Sequence, residues 1–154
     1  MSSRIGAGVT AGLVAGIAFG MMMQMMTAPM PDGGRMPMIA MVGQIIGSPT
    51  LAAGWAYHLF NSAVIGAIFG WILGNRASDY GQGLGWGAAY GFAWWILGGL
   101  VLMPLFLGMA PFAPVMMPPM RMVAMGSLVG HLVYGLILGG VFVALRHRTI
   151  VPTA

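Results

Sequence analysis

Four apolar runs, residues 6–26, 51–74, 83–103 and 123–145, constrain this chain more than any other feature. Each holds about the 20 residues a helix needs to cross a hydrocarbon core of about 30 Å. Pro, Gly and charged residues break the chain between them, at 29–35, at Asn75-Arg76-Ala77-Ser78-Asp79 and at 104–119. No water reaches backbone groups at that depth, so a spanning segment satisfies its hydrogen bonds internally. Runs of this length therefore predict helices.

Composition points the same way. The chain is 59% hydrophobic and 5% charged, with a mean hydropathy of +0.90. A water-soluble domain carries about a quarter charged residues, so this chain cannot clothe a water-facing surface. It reads as a single transmembrane domain over 1–154. Residues 6–26 form a longer apolar run than a signal peptide uses, with no small-residue cleavage site behind it, and read as a retained span. Residues 36–46, opened by Pro37, are apolar but short, and predict an interfacial or re-entrant helix after the first span. The expected fold is all-α, a membrane four-helix bundle with that one short helix added.

Charge sets the expected orientation. The net charge of +4 comes from six Arg and two Asp. Six scattered arginines make no basic patch, so no nucleic-acid partner is expected. Arg4, Arg76, Arg146 and Arg148 fall on one side of the spans, and Arg35 and Arg121 on the other. The positive-inside rule then places both termini and the central loop in the cytoplasm. With no cysteine, disulfides and thiolate metal sites are excluded.

The chain reads as written twice, with repeat one at about 6–76 and repeat two at about 81–148. Gly6, Gly8, Gly12 and Gly16 match Gly81, Gly83, Gly87 and Gly91 at a constant offset, and His58-Leu59 and Gly66 match His131-Leu132 and Gly139 at another. Met36-Pro-Met-Ile-Ala-Met41 resembles Met120-Arg-Met-Val-Ala-Met125. Two spans per unit give parallel repeats, related by a pseudo-two-fold axis along the membrane normal. Every span also carries small residues at four-residue spacing, a packing device where lipid offers helices little hydrophobic reason to associate.

The histidines are the main functional signal. At about 1.5 Å per residue, His58 lies about 10 Å below the outer end of its span and His131 about 12 Å below that of its own. An ionisable group at that depth turns inward, and a neutral imidazole is expected there. It could ligate a haem iron, a chlorophyll-type magnesium or copper, or simply bridge helices through a hydrogen bond. Ser62, Asn61, Ser127 and Tyr134 stand near enough in sequence to serve as bridging partners. The candidate cofactor site is His58, His131, Ser62, Gly66, Gly135 and Gly139, the small residues leaving room for a flat ring beside each imidazole. His147, between Arg146 and Arg148, reads as a surface residue.

Methionine crowds the outer half. Thioethers suit Cu(I), which makes Met36, Met38, Met41, Met120, Met122 and Met125 a candidate copper set. The alternatives are adaptable packing around broken helices, or a docking surface for another membrane subunit or a second copy. There is no Glu, Asp32 and Asp79 fall on opposite sides, and no Ser/His/Asp set gathers at one depth, so no enzymatic activity is expected.

Gly8-x3-Gly12-x3-Gly16, His58-Leu59 with Gly66 and Phe69, Met103-Pro104, and His131-Leu-Val-Tyr-Gly135-x3-Gly139 together resemble a group of small bacterial inner-membrane proteins of four spans. The resemblance covers most of the chain. It implies four helices, paired histidines and a bacterial cytoplasmic membrane, and brings no activity with it. The expectation is a non-enzymatic scaffold or accessory subunit with a cofactor or small-ligand site at the histidines. The alternative is a small transporter for a neutral solute or for copper.

Overall fold

The computed structural model describes residues 2–30 and 32–148, with side chains for 4–30 and 32–147. Four helical stretches are long and apolar enough to cross a membrane: Arg4–Met25, Leu51–Ile72, Tyr80–Phe106 and Pro118–His147. The chain is a mostly helical multi-pass membrane protein. The ends assigned above to the cytoplasm, Pro31 in the first break, and the Arg148 side chain lie outside the described residues.

Helix α1 (Ser2–Met25) leads into an antiparallel ladder of β1 (Thr27–Pro29) and β2 (Arg35–Pro37), followed by α2 (Met38–Gly43) and a 3-10 turn at Gln44–Ile46. Helix α3 (Leu51–Ile72) crosses back. Helix α4 (Tyr80–Trp94) continues through a π-helical segment, Trp95–Leu102, into α5 (Met103–Phe106). After α6 (Ala113–Met116) and a 3-10 turn at Pro118–Met120, α7 (Arg121–Arg148) makes the last crossing. The Thr50 hydroxyl caps α3 by accepting from Ala53 N at 3.2 Å, and the Asp79 carboxylate caps α4 by accepting from Gln82 N at 2.9 Å.

Two glycine seams hold the bundle. Helices α1 and α3 run antiparallel so closely that a Cβ on Gly66 would stand 2.8 Å from Gly12 Cα and overlap Gly8 O. Helices α4 and α7 form the second seam, with Gly87 against Gly135, Gly91 against His131 O, and Gly83 against Gly139 and Val143. Helix α1 also packs on α7, where the Phe19 ring lies on Gly130 and Met26, just past the end of α1, lies on Gly126. Helices α3 and α4 stand further apart. Tyr90 links them, its ring 5.3 Å from that of Phe69 and its hydroxyl donating to Ile65 O at 2.8 Å.

Arg4 bonds Asn75 and Arg146 bonds Gly74 O, so these arginines gather with Arg76 at one end of the bundle; Arg35 holds Thr27, and Arg121 holds Val115 O, at the other. Toward the Arg4 end the core is dry: Phe69, Leu138, Phe142 and Val143 are fully buried, and the rings of Phe69 and Phe142 meet edge to face at 5.4 Å.

One expected bound needs correction and two expectations are sharpened. The chain is mostly helical, with one short β1–β2 ladder added where Pro29 and Pro37 favour extended backbone on either side of the turn. The expected interfacial or re-entrant helix is present as α2 and is pressed into the bundle against α3: Ile39 is fully buried, and a Cβ on Gly54 would overlap Ile39 O. The third span does not stop at Pro104. Proline lacks the N–H that would bond Leu100 O one turn back. Phe112 N supplies the missing donor at 2.6 Å, from a left-handed backbone conformation (φ 62°) that holds the loop folded back on the helix.

Candidate ligand cavity

Toward the Arg35 end the spans surround a cavity of about 350 Å³. Its walls come from α1, α3, the π-helical segment and α7, and α2 and the loop before α7 roof it. Val64 on α3, Leu102 at the end of the π segment and Phe106 on α5 line it and are exposed. A π-helix is wider than an α-helix and recurs at functional sites. Gly98 and Gly99 let the wide turn form here without side chains filling the space: a Cβ on Gly98 would meet only Trp94, at 3.7 Å.

His58 and His131 both line this cavity, and their surroundings fix their tautomers. His58 Nε2 lies 2.9 Å from Gly16 O on α1. A carbonyl can only accept, so Nε2 carries the proton and Nδ1 carries the lone pair. His131 Nδ1 lies 2.8 Å from Ser127 O, one turn back on its own helix, so there Nδ1 carries the proton and Nε2 the lone pair. Neither lone-pair nitrogen has a hydrogen-bond partner among the described residues, and no buried polar side-chain atom is left unpaired. Each free nitrogen is therefore open to the cavity as an acceptor or a ligand.

The Phe19 ring packs against both imidazoles in T-shaped pairs, its centroid 5.5 Å from that of His58 and 4.8 Å from that of His131. Gly130 is what admits it, since any Cβ there would overlap the ring. A flat macrocycle bound at the two imidazoles would have to share their surroundings with the Phe19 ring. His58 would also have to bind through Nδ1, crowded by its own Cβ.

Ser62 lines the cavity, its hydroxyl donating to His58 O at 2.8 Å and its carbonyl accepting from Tyr134 Oη at 2.9 Å. Gly66, Gly135 and Gly139 do not line it. They sit in the glycine seams, in backbone contact with Gly8, Gly12, Gly83 and Gly87, and leave no room beside an imidazole. The proposed copper set divides as well. Met38, Met41 and Met120 are buried and line the cavity; Met36 accepts from Gln44 Nε2 at 3.8 Å; Met122 and Met125 point outward, 78% and 54% exposed. Among the described residues no three His, Asp or Glu side chains come together as a metal site.

Phe19, Tyr57 and the Gly98-Gly99 pair belong to the cavity and were not legible as such. A Gly-Gly pair five residues before an intramembrane proline was the one available signal for a widened helix. Asn61 also lines the cavity, half-buried, with no partner for its carboxamide among the described residues. His147 is exposed, as expected, 3.2 Å from Ser78 O. Comparison with protein-family models, with curated proteins and with solved structures finds no match, so the resemblance to small four-span proteins rests on its quoted motifs alone.

Proposed function

We propose that this chain is an internally duplicated bacterial inner-membrane protein, a non-enzymatic scaffold or accessory subunit, that holds a small, largely apolar ligand at His58 and His131. The observation that carries the reading is the cavity itself, of a size that suits a small organic molecule, apolar in most of its lining, with two imidazole nitrogens unused by the protein. A dry plug of Phe69, Leu138, Phe142 and Val143 beneath it supports holding a ligand over passing one.

The duplication is supported by which residues touch. Gly8 meets Gly66 as Gly83 meets Gly139, and Gly12 meets Ser62 and Gly66 as Gly87 meets Gly135 and Gly139. Phe69 and Phe142, equivalent under the same offset as the two histidines, pack on each other, as residues beside a two-fold axis must. Protein purified in native lipid patches should yield, on solvent extraction, a small molecule at near one per chain, depleted by at least about tenfold in a His58→Leu/His131→Leu variant. A ligand-free wild-type extract that also lacks visible absorbance and stoichiometric metal would remove the reading.

One observation favours a copper-handling alternative. Met23, Met38, Met41, Met103, Met109 and Met120 all line the same cavity as the two histidines. The metal content of the same preparation decides between the two.

Orientation follows from the arginines, with both termini in the cytoplasm. Because the chain lacks cysteine, single introduced thiols report it directly. Gly33→Cys should react with a membrane-impermeant maleimide in intact spheroplasts, and Ser78→Cys should react only after lysis. The reverse pattern would invert the topology.

A further inference from the structure

We propose that the cavity binds a lipid-phase phenol or hydroquinone, which enters between α3 and the π-helical segment and donates its hydroxyl to His131 Nε2. The inference rests on the ligand-holding reading above and names the ligand's chemistry.

The way in is a break in the pseudo-symmetry. On the α1–α7 side the helices close because Phe19 lies on Gly130. The equivalent positions on the other side, under the same two offsets, are Trp94 on α4 and Tyr57 on α3. Two bulky rings replace a ring on a glycine, and α3 and α4 stay apart. Both Tyr57 and Trp94 line the resulting cavity, as do the exposed Val64, Leu102 and Phe106, all within the spanning stretches Leu51–Ile72 and Tyr80–Phe106. A molecule dissolved in the bilayer can reach it without passing through water.

The hydrogen-bonding pattern selects the head group. Both imidazole protons are committed to backbone carbonyls, at Gly16 and Ser127, so both histidines offer only lone pairs to the cavity. An ether, ester or ketone, which can only accept, meets nothing complementary at either imidazole. A hydroxyl does, and burying it unpaired at this depth would be costly, so the partner matters. The half-buried Asn61 carboxamide has no partner among the described residues and can both donate to and accept from a second oxygen. The rest of the lining is aromatic and thioether, including Phe19, Trp94, Met103 and Met120, surfaces that pack well on a flat ring.

The test uses a matched pair of probes, 4-octylphenol and its methyl ether 4-octylanisole, titrated into full-length protein in lipid nanodiscs and followed by the change in tryptophan fluorescence that is lost in Trp94→Phe. Octylphenol is expected to bind about tenfold tighter than octylanisole, the worth of one hydrogen bond. His131→Leu should bring the two affinities together by weakening octylphenol alone. Gly99→Leu, whose Cβ would stand 3.6 Å from His131 Cε1, should weaken both probes by occupying the space beside the imidazole. Equal affinities in the wild type, or a preference that survives in His131→Leu, would overturn the hydroxyl inference and leave the ligand-holding reading standing. Saturable binding of neither probe to folded wild type would overturn both.

Discussion

Gly66→Ile is expected to prevent the bundle from assembling, yielding little or no monodisperse protein on size-exclusion in detergent. At Gly66 a Cβ would stand 2.8 Å from Gly12 Cα and overlap the Gly8 carbonyl, and both obstacles are backbone. A flexible side chain could swing aside; a helix axis has to move along its whole length. Overpacking in cores that can relax costs about 1–3 kcal/mol. Here the seam would have to open as a unit, and the cost should exceed about 3 kcal/mol, beyond that range. Close backbone approach is also what drives helices together in lipid, so the same substitution removes the attraction. Gly85→Leu is the control. Nothing lies within 4 Å of a Cβ at Gly85, and a change within about 0.5 kcal/mol is expected. A Gly66→Ile protein that purifies and melts like wild type would show that the α1–α3 seam is not held by backbone contact.

The second large effect is expected at the two rings that meet below the cavity. Phe142→Ala should destabilise the protein by about 3 kcal/mol, the low end for truncating a buried phenylalanine. The lower figure follows from the solvent: unfolding within a bilayer exposes the ring to hydrocarbon, which forfeits little transfer free energy but leaves the cavity unfilled. Phe69 and Phe142 are both fully buried and touch at 5.4 Å, so their effects should not add. A double-mutant cycle read by steric-trap unfolding should give a coupling of about 0.5–1.5 kcal/mol, the range for an edge-to-face pair. Additive losses would mean that the rings pack against their own surroundings rather than on each other.

Both predictions concern residues whose type was conspicuous in the sequence while their role was not. Gly66 stood one turn beyond a candidate site residue and was grouped with it. The four-residue spacing of Gly8, Gly12, Gly16, Gly83, Gly87 and Gly91 pointed to helix seams, and the same periodicity read as room beside a histidine was misleading at Gly66, Gly135 and Gly139. Spacing along one helix tells which residues share a face and says nothing of what the face meets. The histidines show the same limit. Their similar depth follows from counting residues, yet the Phe19 ring packed on both, and the opposite tautomers imposed by Gly16 O and Ser127 O, come from other turns and another helix.

By itself the sequence determined the four membrane crossings, their antiparallel order and the gathering of Arg4, Arg76 and Arg146 at one end. These depend on length, apolarity and charge, which act locally against the bilayer. The tertiary structure alone decided where the bundle opens. Phe19 finds a glycine at 130 and closes one side, whereas on the other side Trp94 and Tyr57 line a cavity beside the π-helical turn at Gly98-Gly99. Whether two rings interlock or collide is settled by the relative rotation and separation of helices, quantities that no single helix encodes.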